Sequence, residues 1–312
     1  MAPVDWDDTP IGRAARQAAR LKNTSGLKLP KPEQCRKLTV ANQKGGVGKT
    51  TSAVNLAWAL ALHGLKVLVI DLDPQGNAST ALDAEHTVGT PGSYELLVGG
   101  VDPADTLQQS SDNPNLYCIP ATIDLAGADI ELVSMVRREY RLRDALSEEF
   151  VKEYGFDFIF IDCPPSLSLL TINAMTAVDE VLIPIQCEYY ALEGVSQLLN
   201  NISMIRESLN SNLHISAVLL TMYDARTKLS AQINDEVRDH FGSVVLDNRI
   251  PRSVKISEAP SYGQTVLQYD SGSPGALAYF DAAVEMAKRG DYLPGITTAP
   301  VGIAPELHDG IN

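Results

Sequence analysis

Gln43-Lys44-Gly45-Gly46-Val47-Gly48-Lys49-Thr50-Thr51 reads as a phosphate-binding loop that carries an extra lysine. In the pattern G-x-x-x-x-G-K-[ST], glycines let successive backbone N–H groups turn toward an anion, while the lysine and hydroxyl serve phosphate and Mg²⁺. Gly48, Lys49 and Thr50 fit; the first glycine of the pattern falls at position 43, where this chain has Gln. The extra cation is Lys44. Two lysines on one turn repel unless an anion lies between them, and phosphate is the obvious candidate.

The flanks supply the context such a loop requires. Leu38-Thr39-Val40-Ala41 is apolar and rich in β-formers, and the stretch from Ser52 to Leu62 forms a helical pattern that ends near Gly64. A helix starting at the loop adds unpaired N–H groups and partial positive charge to the glycine cradle. Further candidate strands are Val67 to Asp71, Leu116 to Pro120, Phe158 to Asp162, Val181 to Ile185, Ile215 to Thr221 and Val244 to Leu246, after a first strand from Leu38 to Asn42. Helical patterns fill the intervals, most clearly Arg138 to Tyr154, Leu192 to Leu209, Ala231 to Phe241 and Ala276 to Lys288. This alternation predicts an α/β fold: a single doubly wound, mostly parallel sheet with helices on both faces and ligand at the carboxyl ends of the strands.

The chain has 312 residues and a formal net charge of −14. One domain of about 250 residues with tails accommodates that length. The acidity argues against a generally basic nucleic-acid coat protein and leaves room for local basic patches. Cys35, Cys118, Cys163 and Cys187 show no C-x-x-C spacing, so neither a zinc site nor a disulfide framework is expected. The acidic start lacks the basic and apolar segments of a secretory signal, and no run of 18 apolar residues occurs. The expectation is a soluble, cytoplasmic protein. Residues 1–36 read as a basic, largely disordered extension containing Arg13, Arg16, Arg20 and Lys22; residues 37–289 read as the folded domain, and 290–312 as a flexible tail rich in Pro and Gly.

Two strand ends carry carboxylates. Val67-Leu68-Val69-Ile70-Asp71-Leu72-Asp73 and Phe158-Ile159-Phe160-Ile161-Asp162 are apolar runs that open into acidic loops. The second is the Walker B pattern: Asp162 can hold Mg²⁺ through water opposite Thr50, and Asp73 can orient or deprotonate an attacking water.

Together these segments resemble the ParA/Soj chromosome- and plasmid-partitioning ATPases. The resemblance runs from about residue 38 to 288 and rests on Ala41 to Thr51, Asp71 to Ala78, Ile161 to Ser166, Glu188 to Gly194, Thr221 to Thr227, and Ile250-Pro251-Arg252 with Ser257 to Gly263. It implies a deviant-Walker P-loop ATPase using ATP and Mg²⁺, in which nucleotide is sandwiched between two subunits of a homodimer. Lys44 then reaches the partner's phosphates, Lys49 holds the β- and γ-phosphates, Thr50 binds Mg²⁺, Thr51 contacts the α-phosphate and Asp73 acts on the water. Gly45, Gly46, Val47 and Gly48 form the cradle, and the adenine lies near Met222 and Pro251.

By the same resemblance the ATP dimer binds double-stranded DNA without sequence preference, through Arg226, Arg252 and Lys255. Ser253 stands where the family commonly has Asn, and Lys255 where Arg is usual; Lys keeps the charge without the bidentate fork. A ParB-like centromere-binding protein triggers hydrolysis, and the protein is nucleoid-associated. Two rivals share the fold. A MinD-like membrane-associated ATPase ends in a basic amphipathic helix, whereas no Lys or Arg follows Arg289 here and Pro300 and Pro305 break any helix, so no stable membrane association is expected. The nitrogenase iron protein needs paired cysteines that this chain lacks. A third reading is an interaction protein that uses nucleotide as a switch with negligible turnover.

Overall fold

The computed structural model describes residues 28–189 and 191–289. The expectations attached to residues 1–27 and 290–312 lie outside the described residues. From the amino end, β1 (Arg36–Val40) runs through the phosphate loop into α1 (Lys49–Leu62) and returns as β2 (Val67–Asp71), followed by the short α2 (Asn77–Ala81). Then come β3 (Gln108–Gln109), β4 (Leu116–Ile119), α3 (Ala128–Leu132), α4 (Arg141–Ala145), α5 (Glu148–Tyr154) and β5 (Phe158–Asp162). The carboxyl half adds α6 (Leu169–Ala177), β6 (Glu180–Gln186), α7 (Glu193–Ser208), β7 (His214–Thr221), α8 (Lys228–Phe241), α9 (Val254–Glu258), α10 (Val266–Tyr269) and α11 (Pro274–Lys288).

The seven strands form one sheet in the order β3-β4-β2-β5-β1-β6-β7. All pairings are parallel except that of β3 with β4. Strand residues point alternately to the two faces, and β5 shows the consequence. Phe158 and Phe160 join Leu38, Val40 and the buried alanines of α1 in one core, while Ile159 and Ile161 join Leu68, Ile70 and residues of α6 and α7 in the other. A parallel strand covered on both faces is apolar throughout, which is why β2 and β5 read as unbroken runs.

Three expectations change, and one strand goes unforeseen. Arg138 to Tyr154 is not one helix: α4 ends at Ala145, and the Ser147 hydroxyl accepts the Phe150 N–H at 3.2 Å to start α5 afresh. Val244 to Leu246 is no strand, because Gly242 (φ +60°) ends α8 in a 3₁₀ turn and leaves a single bridge, Val218 to Val245. The antiparallel edge strand β3 has too few residues to show a period. The fold also begins before residue 37. Leu29 is buried, Lys31 pairs with Asp157 at 3.1 Å, and the buried Arg36 guanidinium meets Glu180 at 2.7 and 2.8 Å and the Met286 carbonyl at 2.8 Å. What reads as tail charge is in part an internal ion pair, tolerated because every donor named has a partner.

Candidate functional site

The phosphate loop leaves the carboxyl end of β1 at the centre of the sheet. Gly46 (φ +73°) and Gly48 (φ +91°) adopt the left-handed region that side chains disfavour. Gly48 starts α1 with no side-chain cap, so the first N–H groups of a 14-residue helix are left for an anion. Three tethers hold the loop: Asn42 donates to the Pro184 carbonyl at 2.8 Å and accepts the Lys44 N–H at 3.0 Å, and the Thr221 hydroxyl donates to the Val47 carbonyl at 2.8 Å. β6 and β7 thereby fix the loop from one side.

Above it lies a cleft of about 360 Å³. Gly45, Gly46, Gly48, Lys49, Thr50 and Thr51 form its floor, Asp73 one wall, and Met222, Pro260 and Gln264 stand around its far end. Lys49 is 7 % exposed and donates to the Lys44 carbonyl at 3.2 Å. Burial pushes its pKa down, against the opposing pull of Asp162, Cys163 and Asp73.

The strand register brings the carboxylates together. Asp162 lies opposite Val40 on one side and Asp71 on the other, so two fully buried aspartates stand side by side at the ligand edge. Burial raises the Asp71 pKa to about 6, although hydrogen bonds from Ser79 and from the Asp73 N–H oppose the rise. Burial, then the charge of Asp71, also raises the Asp162 pKa well above its ordinary value, with the Thr50 hydroxyl and Lys49 acting the other way. Thr50 is near enough to act on Asp162, yet neither carboxylate oxygen has a partner with hydrogen-bond geometry. An orphaned buried carboxylate beside a threonine hydroxyl suits a hydrated Mg²⁺, which would satisfy both oxygens and relieve the like charge.

Of the residues singled out in the sequence, the structure gathers Gly45, Gly46, Gly48, Lys49, Thr50, Thr51, Asp73 and Met222 on the cleft and sets Asp162 behind Thr50. Val47 is buried and acts through its carbonyl. Pro251 is not on the lining: it bridges to Tyr223, next to Met222, whose φ of +51° is a strained conformation for a side chain of that size. Lys44 is also off the lining, its ammonium 3.8 Å from Glu188.

The three basic residues assigned to DNA are exposed and ion-paired. Arg226 binds Asp224 through two nitrogens at 2.7 and 2.9 Å, Arg252 meets Glu188 at 3.2 Å, and Lys255 meets Glu258 at 3.2 Å. Glu188 therefore faces both Lys44 and Arg252. Sequence reasoning gave no role to Glu188, Ser79 or Gln264. Nothing local flags Gln264, which the chain brings to the cleft when the Val266 N–H bonds Asn55 of α1 at 2.8 Å.

No helix among the described residues is long and apolar enough to cross a membrane, and none of their acidic, His and Cys side chains form a cluster of three or more that could hold a metal.

Residues 35–215 match the family model described as an AAA domain. The chain is 52 % identical over 253 residues to the sporulation initiation inhibitor protein Soj of Bacillus subtilis, covering 81 % of this chain and 98 % of that protein. It is 51 % identical over 255 residues to the chromosome partitioning protein ParA of Caulobacter vibrioides, covering 81 % and 94 %. Among solved structures it resembles a Mycobacterium smegmatis protein, described as cobyrinic acid a,c-diamide synthase with bound ATP analog and magnesium. That match has a TM-score of 0.68 at 38 % identity, over 80 % of this chain and 93 % of that one.

Proposed function

The chain belongs to the Soj/ParA family of chromosome-partitioning P-loop ATPases, and on that premise we propose that it segregates DNA through an ATP-driven cycle of pairing, DNA binding and release. It is an ATPase that uses ATP and Mg²⁺.

The uncapped N-terminus of α1 and the loop N–H groups hold the β- and γ-phosphates, and the buried Lys49 ammonium offsets their charge. Thr50 would hold Mg²⁺ directly and Asp162 through water; the bound ion neutralises charge that develops on the transferring phosphoryl group. Asp73, on the cleft wall, orients the attacking water. Thr51 contacts the α-phosphate and Met222 the adenine. Asp73→Ala is expected to retain nucleotide affinity within about threefold and lose at least ~100-fold in turnover, read as phosphate release. Turnover near that of the parent chain refutes the role.

Homodimerisation rests on Lys44. Its ammonium is directed toward Glu188, 3.8 Å away, rather than lining the cleft of its own subunit, and it is about two-fifths exposed. In a face-to-face pair it would reach the partner's phosphates and supply charge in trans, as an arginine finger does. Lys44→Ala is expected to remain monomeric with Mg²⁺-ATP by light scattering; a normal dimer removes the trans contact from the scheme. The dimer then sets Arg226, Arg252 and Lys255 in one stripe for phosphate contacts on nucleoid DNA, and a ParB-like partner stimulates hydrolysis and release. The full chain with ATP, ADP or no nucleotide, titrated with DNA across salt, tests the switch: equal affinity in all three states would sink it.

A further inference from the structure

Asp71 is fully buried and is not among the residues that line the cleft, yet three donors converge on it. Its Oδ1 accepts the Asp73 N–H at 3.0 Å, and its Oδ2 accepts both the Ser79 N–H at 2.8 Å and the Ser79 hydroxyl at 2.7 Å. The two ends of the acidic loop are thus clasped on one carboxylate. Ser79 is itself fully buried, and its Oγ accepts the Ala121 N–H at 3.0 Å, which ties the clasp to the chain leaving β4. Between the ends, Gly76 turns the chain at φ +64°, and the Asp73 carboxylate accepts the Gln75 N–H at 3.0 Å.

We infer that Asp71 and Ser79 are positioning residues for hydrolysis, setting where the Asp73 carboxylate stands on the cleft lining. The inference rests on Asp73 acting on the water. Only an anionic acceptor fits: three N–H or O–H groups point at two oxygens, and an amide in either orientation would aim its own NH₂ at one of those donors. Asn at this position keeps the shape of Asp and spoils the clasp. A displacement of the catalytic carboxylate by a fraction of an ångström penalises the chemical step and leaves ground-state nucleotide binding to the loop, Lys49 and Thr50.

The test is steady-state ATP hydrolysis by full-length Asp71→Asn and Ser79→Ala, beside the parent and Asp73→Ala, with nucleotide affinity and melting temperature measured on each. Asp71→Asn is expected to lower kcat between about tenfold and a hundredfold with KM for ATP within about twofold; Ser79→Ala, which keeps the backbone donor, is expected to lower it about threefold with the same unchanged KM. A merely structural role would lower the melting temperature and shift KM and kcat together. Parental kcat in folded Asp71→Asn overturns the inference, as does a KM that rises in step with the loss. If Asp71→Asn fails to fold, Ser79→Ala decides alone, and a parental kcat there overturns it. Should Asp73→Ala keep full turnover, the reading of Asp73 fails by itself, and the clasp has nothing to position.

Discussion

Asp71 and Asp162 are legible in the sequence as strand-end carboxylates, but their adjacency is not, because it depends on the register of β2 on β5. Burial, joined at Asp162 by the charge of Asp71, makes each hold its proton more tightly in the folded chain than in the unfolded one. For Asp71 the ordinary value of 3.8 rises to about 6, so the folded state binds more protons than the unfolded state across that window. The contribution of Asp71 to stability therefore falls as pH rises from about 4 through about 6, and that of Asp162, whose pKa is raised in the same direction, also falls as pH rises. Carboxylates held low, such as Asp224 near 2, where the Arg226 hydrogen bonds are the cause, have their windows below that range. Thermal melts of the nucleotide-free protein should show this decline, and Asp162→Asn should flatten it. An unchanged slope would mean that Asp162 contributes nothing to the decline.

Elements were read well where one physical signal ruled. β2 and β5 are unbroken apolar runs because both their faces are covered, and α1 follows from a helix-forming stretch beside a glycine loop. Reading failed where two signals overlapped. Arg138 to Tyr154 keeps a helical period across the break at Leu146, and only the Ser147 cap with Glu148 and Glu149 in the next turn marks a new start. Ser147→Ala should destabilise the fold by about 1 kcal/mol, measured by denaturant unfolding, with ATP hydrolysis unaffected because α5 lies away from the cleft. Val244 to Leu246 has β-branched residues without a neighbour to pair with along its length, and pairing is a tertiary fact.

At the scale of the whole molecule, the proposed function asks an acidic chain with a net charge of −14 to hold DNA. Each of its three proposed contacts is already engaged with a carboxylate, so DNA phosphate has to displace Asp224, Glu188 and Glu258 from Arg226, Arg252 and Lys255. Exposed pairs of this kind are screened by solvent and contribute little, which makes them replaceable by a polyanion and weak as single anchors. On the proposed scheme affinity comes from several such residues aligned by a dimer, and it should fall steeply with salt. Arg226→Glu is expected to dimerise normally with ATP by light scattering and to lose DNA binding in a low-salt gel shift. Retention there would remove the surface from the scheme.

The chain by itself determined the phosphate loop, the strands that end in Asp71, Asp73 and Asp162, and the family, because each is written in contiguous residues whose spacing has one good physical use. The tertiary structure alone decided the rest. Register set Asp71 against Asp162 and left the latter without a partner; the turn at Gly76 brought Ser79 back onto Asp71; and the ends of β6 and α9 placed Glu188 between Lys44 and Arg252. These contacts join residues that are distant along the chain, or that meet only through a turn. Their energies depend on burial and direction, which no local pattern of residue types encodes.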